Sequence, residues 1–94
     1  MFTGLIEATG TLLSVRTQDQ GVRLSIKTDK RLVSELTLGE SVAVDGACLT
    51  VVDFGGDQFE VEATAETLSC TTLGTKTAGH KFHLERALPL GGRL

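Results

Sequence analysis

The sequence predicts an all-β fold: a six-stranded antiparallel Greek-key barrel with two short helices. Three observations carry this expectation. Six short runs of strand character recur at near-regular spacing along the 94 residues. Thirteen Thr, eight Val and two Ile make 23 β-branched residues, whose stiff χ1 costs less on a pleated surface than on a helix. Eleven glycines are scattered as punctuation and there is one proline, a pattern that suits many short turns.

The first strand runs from Leu5 to Val15, and Gly10 within it suggests a bend or bulge. A polar turn over residues 18–21 leads into the cleanest alternation in the chain. There Val22, Leu24 and Ile26 face inward, and Arg23, Ser25 and Lys27 face outward. Asp29 is placed to cap a short helix from Lys30 to Leu36, with Leu32, Val33 and Leu36 on one face and Gly39 ending it. Ser41 to Asp45 and Cys48 to Phe54 form a hairpin, because Asp45-Gly46 is a strong tight-turn dipeptide. Gly55-Gly56-Asp57 turns the chain into the next strand, with Phe59, Val61 and Ala63 inward and Glu60 and Glu62 outward. Thr64 then caps a second helix through Ala65, Glu66, Thr67 and Leu68, where Glu66 sits against the positive end of the helix dipole. The last strand, Lys81 to Ala87, points Phe82 and Leu84 inward. Two stretches, Leu38-Gly39 to Val44 and Ala78-Gly79 to Leu84, repeat one turn-then-strand pattern. Residues 1–88 are expected to form one barrel, with 89–94 (Pro89, Gly91 and Gly92 among them) starting a linker.

Twelve acidic and nine basic side chains leave a net charge of −3, which argues against a nucleic-acid surface. No apolar stretch is long enough to span a bilayer, so no membrane partner is expected. Two cysteines are too few for a disulfide scaffold and suit a reducing compartment, and with His80 and His83 they do not fall into a zinc spacing. The expectation is a cytoplasmic domain without a metal. Cys48 begins a strand just after a turn, where a side chain can face a barrel mouth, although a free cysteine is ordinarily a small buried hydrophobe. His80 and His83 read as solvated residues, and Cys70, past the second helix, has no partner in view. Glu62 to Thr67 is more suggestive. A strand running straight into a capped helix presents backbone N–H groups without intrahelical partners, which suit carbonyl oxygens or an anionic ring. The alternative is that Thr64 caps its own helix and nothing docks.

Several separated motifs, in register over nearly the whole chain, resemble one enzyme family. They are Met1-Phe2-Thr3-Gly4-Leu5-Ile6, the run Ser41 to Val51 (SVAVDGACLTV), Ala65-Glu66-Thr67-Leu68, Thr72-Leu73-Gly74 and Leu84-Glu85-Arg86-Ala87-Leu88. Together they are similar to the first of the two lumazine-binding barrels of riboflavin synthases of the α-subunit type. His80, Phe82 and His83 depart modestly from the family pattern.

The resemblance implies no metal or redox cofactor. It implies dismutation of two 6,7-dimethyl-8-ribityllumazine molecules to riboflavin and a pyrimidinedione, at a site shared between barrels of neighbouring subunits in a homotrimer. By position, it places the heterocycle against Gly4, Leu5 and Ile6, against Cys48, Leu49 and Thr50, and along Glu62, Ala63, Thr64, Ala65, Glu66 and Thr67. Thr50 is expected to reach the ribityl hydroxyls. Ser41 and Cys48 match positions proposed to deliver or activate the nucleophile, and Phe2 matches a residue near the ring at the domain interface. The lone barrel is expected to pair with itself, to bind lumazine or riboflavin, and to catalyse weakly or not at all. A non-catalytic lumazine or flavin carrier, like the fluorescent antenna proteins, is the alternative. Ser41 and Cys48 favour the enzyme.

Overall fold

The computed structural model describes residues 8–18, 21–64, 67 and 76–86. They form β1 (Ala8–Gln18), β2 (Gly21–Lys27), α1 (Lys30–Ser34), β3 (Ser41–Val44), β4 (Ala47–Gly55), β5 (Gln58–Thr64) and β6 (Lys81–Arg86). The six strands close into an antiparallel barrel in the order β1-β2-β5-β4-β3-β6. Three hairpin-linked strands, β3, β4 and β5, are joined by β2 lying beside β5, which is the Greek-key arrangement. Of the two expected helices, α1 is described; the second falls largely outside the described residues.

Strand alternation fills the barrel. Val22, Leu24 and Ile26 of β2, Phe59, Val61 and Ala63 of β5, and Phe82 and Leu84 of β6 are buried, as their period of two requires. Val42 and Val44 of β3 and Leu49 and Val51 of β4 complete the interior, and Leu32, Val33 and Leu36 pack against it from the α1 segment. Burial of this apolar set is the main stabilising term of the fold.

Two tight turns set the hairpin registers. Asp45 (φ 50°) and Gly46 (φ 87°) both take positive φ between paired Val44 and Ala47, the pattern of a type I′ turn. Gly56 (φ 64°) opens the two-residue turn between paired Gly55 and Gln58. Asp29 caps α1 as expected, its carboxylate accepting the Arg31 N–H at 2.9 Å. The helix is shorter than expected, however. It closes at Glu35, and Gly39 (φ 87°) serves a separate turn in which Glu40 N–H donates to the Thr37 carbonyl. The expected bend at Gly10 is also displaced. The irregularity lies between Leu12 and Ser14, close to where β1 exchanges β6 for β2 as its partner at Thr11. Gly10 has a different task. A Cβ there would meet Ile26 Cγ2 at 2.6 Å and Leu84 Cδ1 at 2.8 Å, so the core closes over bare backbone.

The turn-then-strand repeat seen in the sequence is a repeat in space. Gly39 and Gly79 both take positive φ, and Glu40 and His80 donate their N–H groups back to Thr37 and Thr77, both at 3.1 Å. Gly39 N–H donates to the Val51 carbonyl while Val51 N–H donates to Glu40; Gly79, Leu12 and His80 repeat the exchange. Val51 and Leu12 each begin a register irregularity. The halves β1-β2-β3 and β4-β5-β6 are therefore related by a pseudo-twofold operation, with Ser41 matching Lys81 and Cys48 matching Thr9.

Candidate functional site

Register brings the site candidates of β3, β4 and β5 onto one outer wall. Ser41 pairs with Thr50, Thr50 with Glu62, and Glu62 with Arg23, so one row of side chains crosses four strands. Ala43 pairs with Cys48 in the neighbouring row. Because Val42, Val44 and Leu49 take the inward positions, Ser41, Ala43, Cys48 and Thr50 face outward. Four small side chains over two paired strands make a shallow floor. Cys48 and Thr50 are exposed and Ser41 is half-buried, while Ala43, though on the same outward side of the pleat, is only 5% exposed. Cys48 is therefore not the small buried hydrophobe that a free cysteine ordinarily is, because Leu49 takes the core position and turns its neighbours outward. Leu49 and Ala63, each 2% exposed, present only backbone to the outside.

The wall is bordered by charge. Arg23 donates from Nη2 to Glu62 at 2.9 Å and from Nη1 to Glu60 at 3.3 Å. The bond accepted by Glu62 is the largest influence raising the Arg23 pKa above the ordinary arginine value; partial desolvation opposes it, and the two carboxylate charges add to it. Arg23 thus remains a cation near neutrality.

At the end of β5, Thr64 Oγ1 accepts the Thr67 N–H at 3.2 Å, the bond expected of a helix N-cap and its third residue. Thr64 is exposed and Thr67 half-buried. Phe2, Gly4, Leu5, Ile6, Ala65 and Glu66 lie outside the described residues. Among the described residues, no group of His, Cys, Asp or Glu is arranged to hold a metal, and no helix is long and apolar enough to cross a membrane. Two surface hollows, one between α1 and Ala8 and one at the β4–β5 turn, lie away from this wall and gather none of the candidate residues. Sequence reasoning missed Ala43 as part of the floor. The alternation Val42-Ala43-Val44 opposite Cys48 carried that signal. It also missed the ion pairs of Arg23 and Arg86, which join residues distant in sequence.

A model of the lumazine binding domain matches residues 3–87. The chain belongs to the lumazine-binding domain family. Over 93 residues, this lumazine-binding domain is 45% identical to riboflavin synthase of Bacillus subtilis (strain 168), covering 99% of the chain and 43% of that relative. It is 40% identical over 91 residues to riboflavin synthase of Chlamydia pneumoniae, covering 97% of the chain and 46% of the relative. The chain thus spans about half the length of the curated relatives it matches. Among solved structures, LumP complexed with 6,7-dimethyl-8-(1'-D-ribityl) lumazine superposes with a TM-score of 0.85 at 26% identity, over all of this chain and 52% of that one. LumP complexed with riboflavin gives 0.86 at 28% identity, over 100% and 50%.

Proposed function

We propose that this lumazine-binding domain is the N-terminal barrel of a riboflavin synthase. In this reading it holds 6,7-dimethyl-8-ribityllumazine or riboflavin on the outer wall of β3 and β4. The observation that carries the reading is the floor of Ser41, Ala43, Cys48 and Thr50. Small outward side chains over paired strands let a flat bicyclic ring lie close to the backbone, and hydroxyls at Ser41 and Thr50 face a polyol chain. Gly4, Leu5 and Ile6 border the ring on one side, and Glu62 through Thr67 border it on the other. Free N–H groups at the capped terminus would donate to the pyrimidine oxygens. They would then also stabilise the negative charge that spreads over the ring when its acidic 7-methyl group loses a proton.

In the parent enzyme, Cys48 and Ser41 would handle the nucleophile, Phe2 would stand by the ring, and a second barrel would bring the second lumazine. Residues 89–94 would begin the link to that barrel. The parent would be a cytoplasmic homotrimer, and this chain alone would pair with itself and react weakly or not at all. The likeness to LumP bound to lumazine and riboflavin supports a second reading: a carrier that holds its ligand without reacting.

Titration with riboflavin followed by flavin fluorescence tests binding, with quenching or a spectral shift expected. An unchanged spectrum at micromolar protein sinks the reading. Incubating the full-length parent with the lumazine separates enzyme from carrier, because only the enzyme yields riboflavin.

A further inference from the structure

The two pseudo-equivalent strand starts are built alike in backbone and differ in side chains. At the start of β3, the Glu40 carboxylate accepts from Arg86 Nε at 2.9 Å, Arg86 Nη2 at 3.2 Å and the Thr37 N–H at 2.7 Å. Arg86 also donates from Nη1 to Glu35, the C-cap of α1, at 3.2 Å. One guanidinium at the end of β6 thus ties together the carboxylate at the end of α1 and the carboxylate at the start of β3. At the start of β6, the place of Glu40 is taken by His80, which lies 3.8 Å from Asp45 and edge-on to Phe82. That second start makes the same turn and the same backbone bonds. A strand of this type therefore pairs without an ion-pair fork, and the fork at Glu40 answers some other need.

Its neighbour identifies that need. Glu40 precedes Ser41, the first residue of β3, and Arg86 lies opposite Val42, the next residue along, in the β3–β6 ladder. Thr50 pairs with Ser41 from the side, and the backbone just before Ser41 is fixed at Glu40, whose carbonyl accepts the Val51 N–H at 2.9 Å. A two-pronged guanidinium–carboxylate contact fixes orientation as well as distance, which a single point charge does not.

We propose that Glu40 and Arg86 are positioning residues, whose fork holds Ser41 against Thr50 so that the pair meets the polyol chain of a bound flavin or lumazine. This inference rests on the binding reading above and assigns the residues that keep its polar edge in place.

The test compares riboflavin with lumiflavin, the same isoalloxazine ring with a methyl group in place of the ribityl chain, in the native chain and in Glu40→Gln, Arg86→Lys and Arg86→Leu. Arg86→Lys keeps the charge and removes the fork, so it remains informative should Arg86→Leu fail to fold. The variants are expected to lose about three- to tenfold in riboflavin affinity, the size of one or two neutral hydrogen bonds, while lumiflavin affinity stays within about twofold. Amide exchange at Val51 should accelerate while Leu24 and Val61, across the β2–β5 ladder, keep their protection. Retention of the native preference for riboflavin in Glu40→Gln and Arg86→Lys overturns the proposal. So does equal weakening of both compounds, because that reports general loosening. A native chain that binds neither compound overturns the binding reading itself, and this is told apart from failure of the fork because the latter leaves native binding intact.

Discussion

Gly21 lies against the backbone of Ala63, so close that a Cβ on Gly21 would stand 2.0 Å from the Ala63 carbonyl oxygen. β2 starts here, directly opposite Thr64 at the end of β5. No side-chain rotation relieves an overlap between main chains. Gly21→Ala is expected to cost about 3 kcal/mol, or roughly 10–20 °C in Tm for a chain of this size. Gly10→Ala should cost less, because its closest overlaps, with Ile26 Cγ2 at 2.6 Å and Leu84 Cδ1 at 2.8 Å, are with side chains and the nearest main-chain atom, Lys27 O, is at 3.3 Å. Thermal unfolding followed by circular dichroism checks both, and equal losses would contradict the distinction.

The small floor of the outer wall predicts a separation of binding from stability. Cys48→Phe should abolish riboflavin binding by filling the floor, yet leave Tm nearly unchanged, because Cys48 is exposed. Thr50→Val should weaken riboflavin by about two- to tenfold, the loss of one hydroxyl contact. Fluorescence titration beside a melting curve reads both effects, and a Cys48→Phe chain that binds normally would place the ligand elsewhere.

Thr64→Val should remove the hydroxyl that accepts the Thr67 N–H, at about 1 kcal/mol, as for other lost helix caps. Thr64→Ser retains the oxygen and should restore stability. Chemical denaturation of both variants makes the comparison. A serine variant no better than the valine one would show that the methyl group, not the hydroxyl, matters at this place.

Replacing Arg23 by Met leaves Glu60 and Glu62 facing each other without their shared cation. Tm should fall at low ionic strength, and the deficit should shrink near 1 M salt, where the screening length is about 3 Å. A deficit independent of salt would assign the loss to packing of the arginine stem.

Much of the barrel could be read from local pattern. Alternation at Val22-Leu24-Ile26 and Phe59-Val61-Ala63 gave the inward faces, and Asp45-Gly46 gave the tight hairpin, because both signals depend on residues a few positions apart. The helix length and the position of the β1 irregularity were misread for the opposite reason. Gly39 closes a turn whose partner is Val51, and the break after Leu12 answers to a change of neighbouring strand. Both causes are non-local. The motif at Ser41 to Val51 named the candidate site residues, yet the outward direction of Cys48 follows only from Leu49 claiming the core. The Glu40–Arg86 fork joins positions 46 residues apart and leaves no periodic trace in the chain.

Strand pleating gives the β3–β4 hairpin two independent tenants. Val42, Val44, Leu49 and Val51 answer to folding, while Ser41, Cys48 and Thr50 stand on the outer side of the same strands and are free to answer to a ligand. Selection can rewrite the second set one position at a time without disturbing the first. Such a scaffold allows new ligand preferences to arise by drift, and a descendant that has exchanged reaction for mere retention need not have passed through an unfolded ancestor.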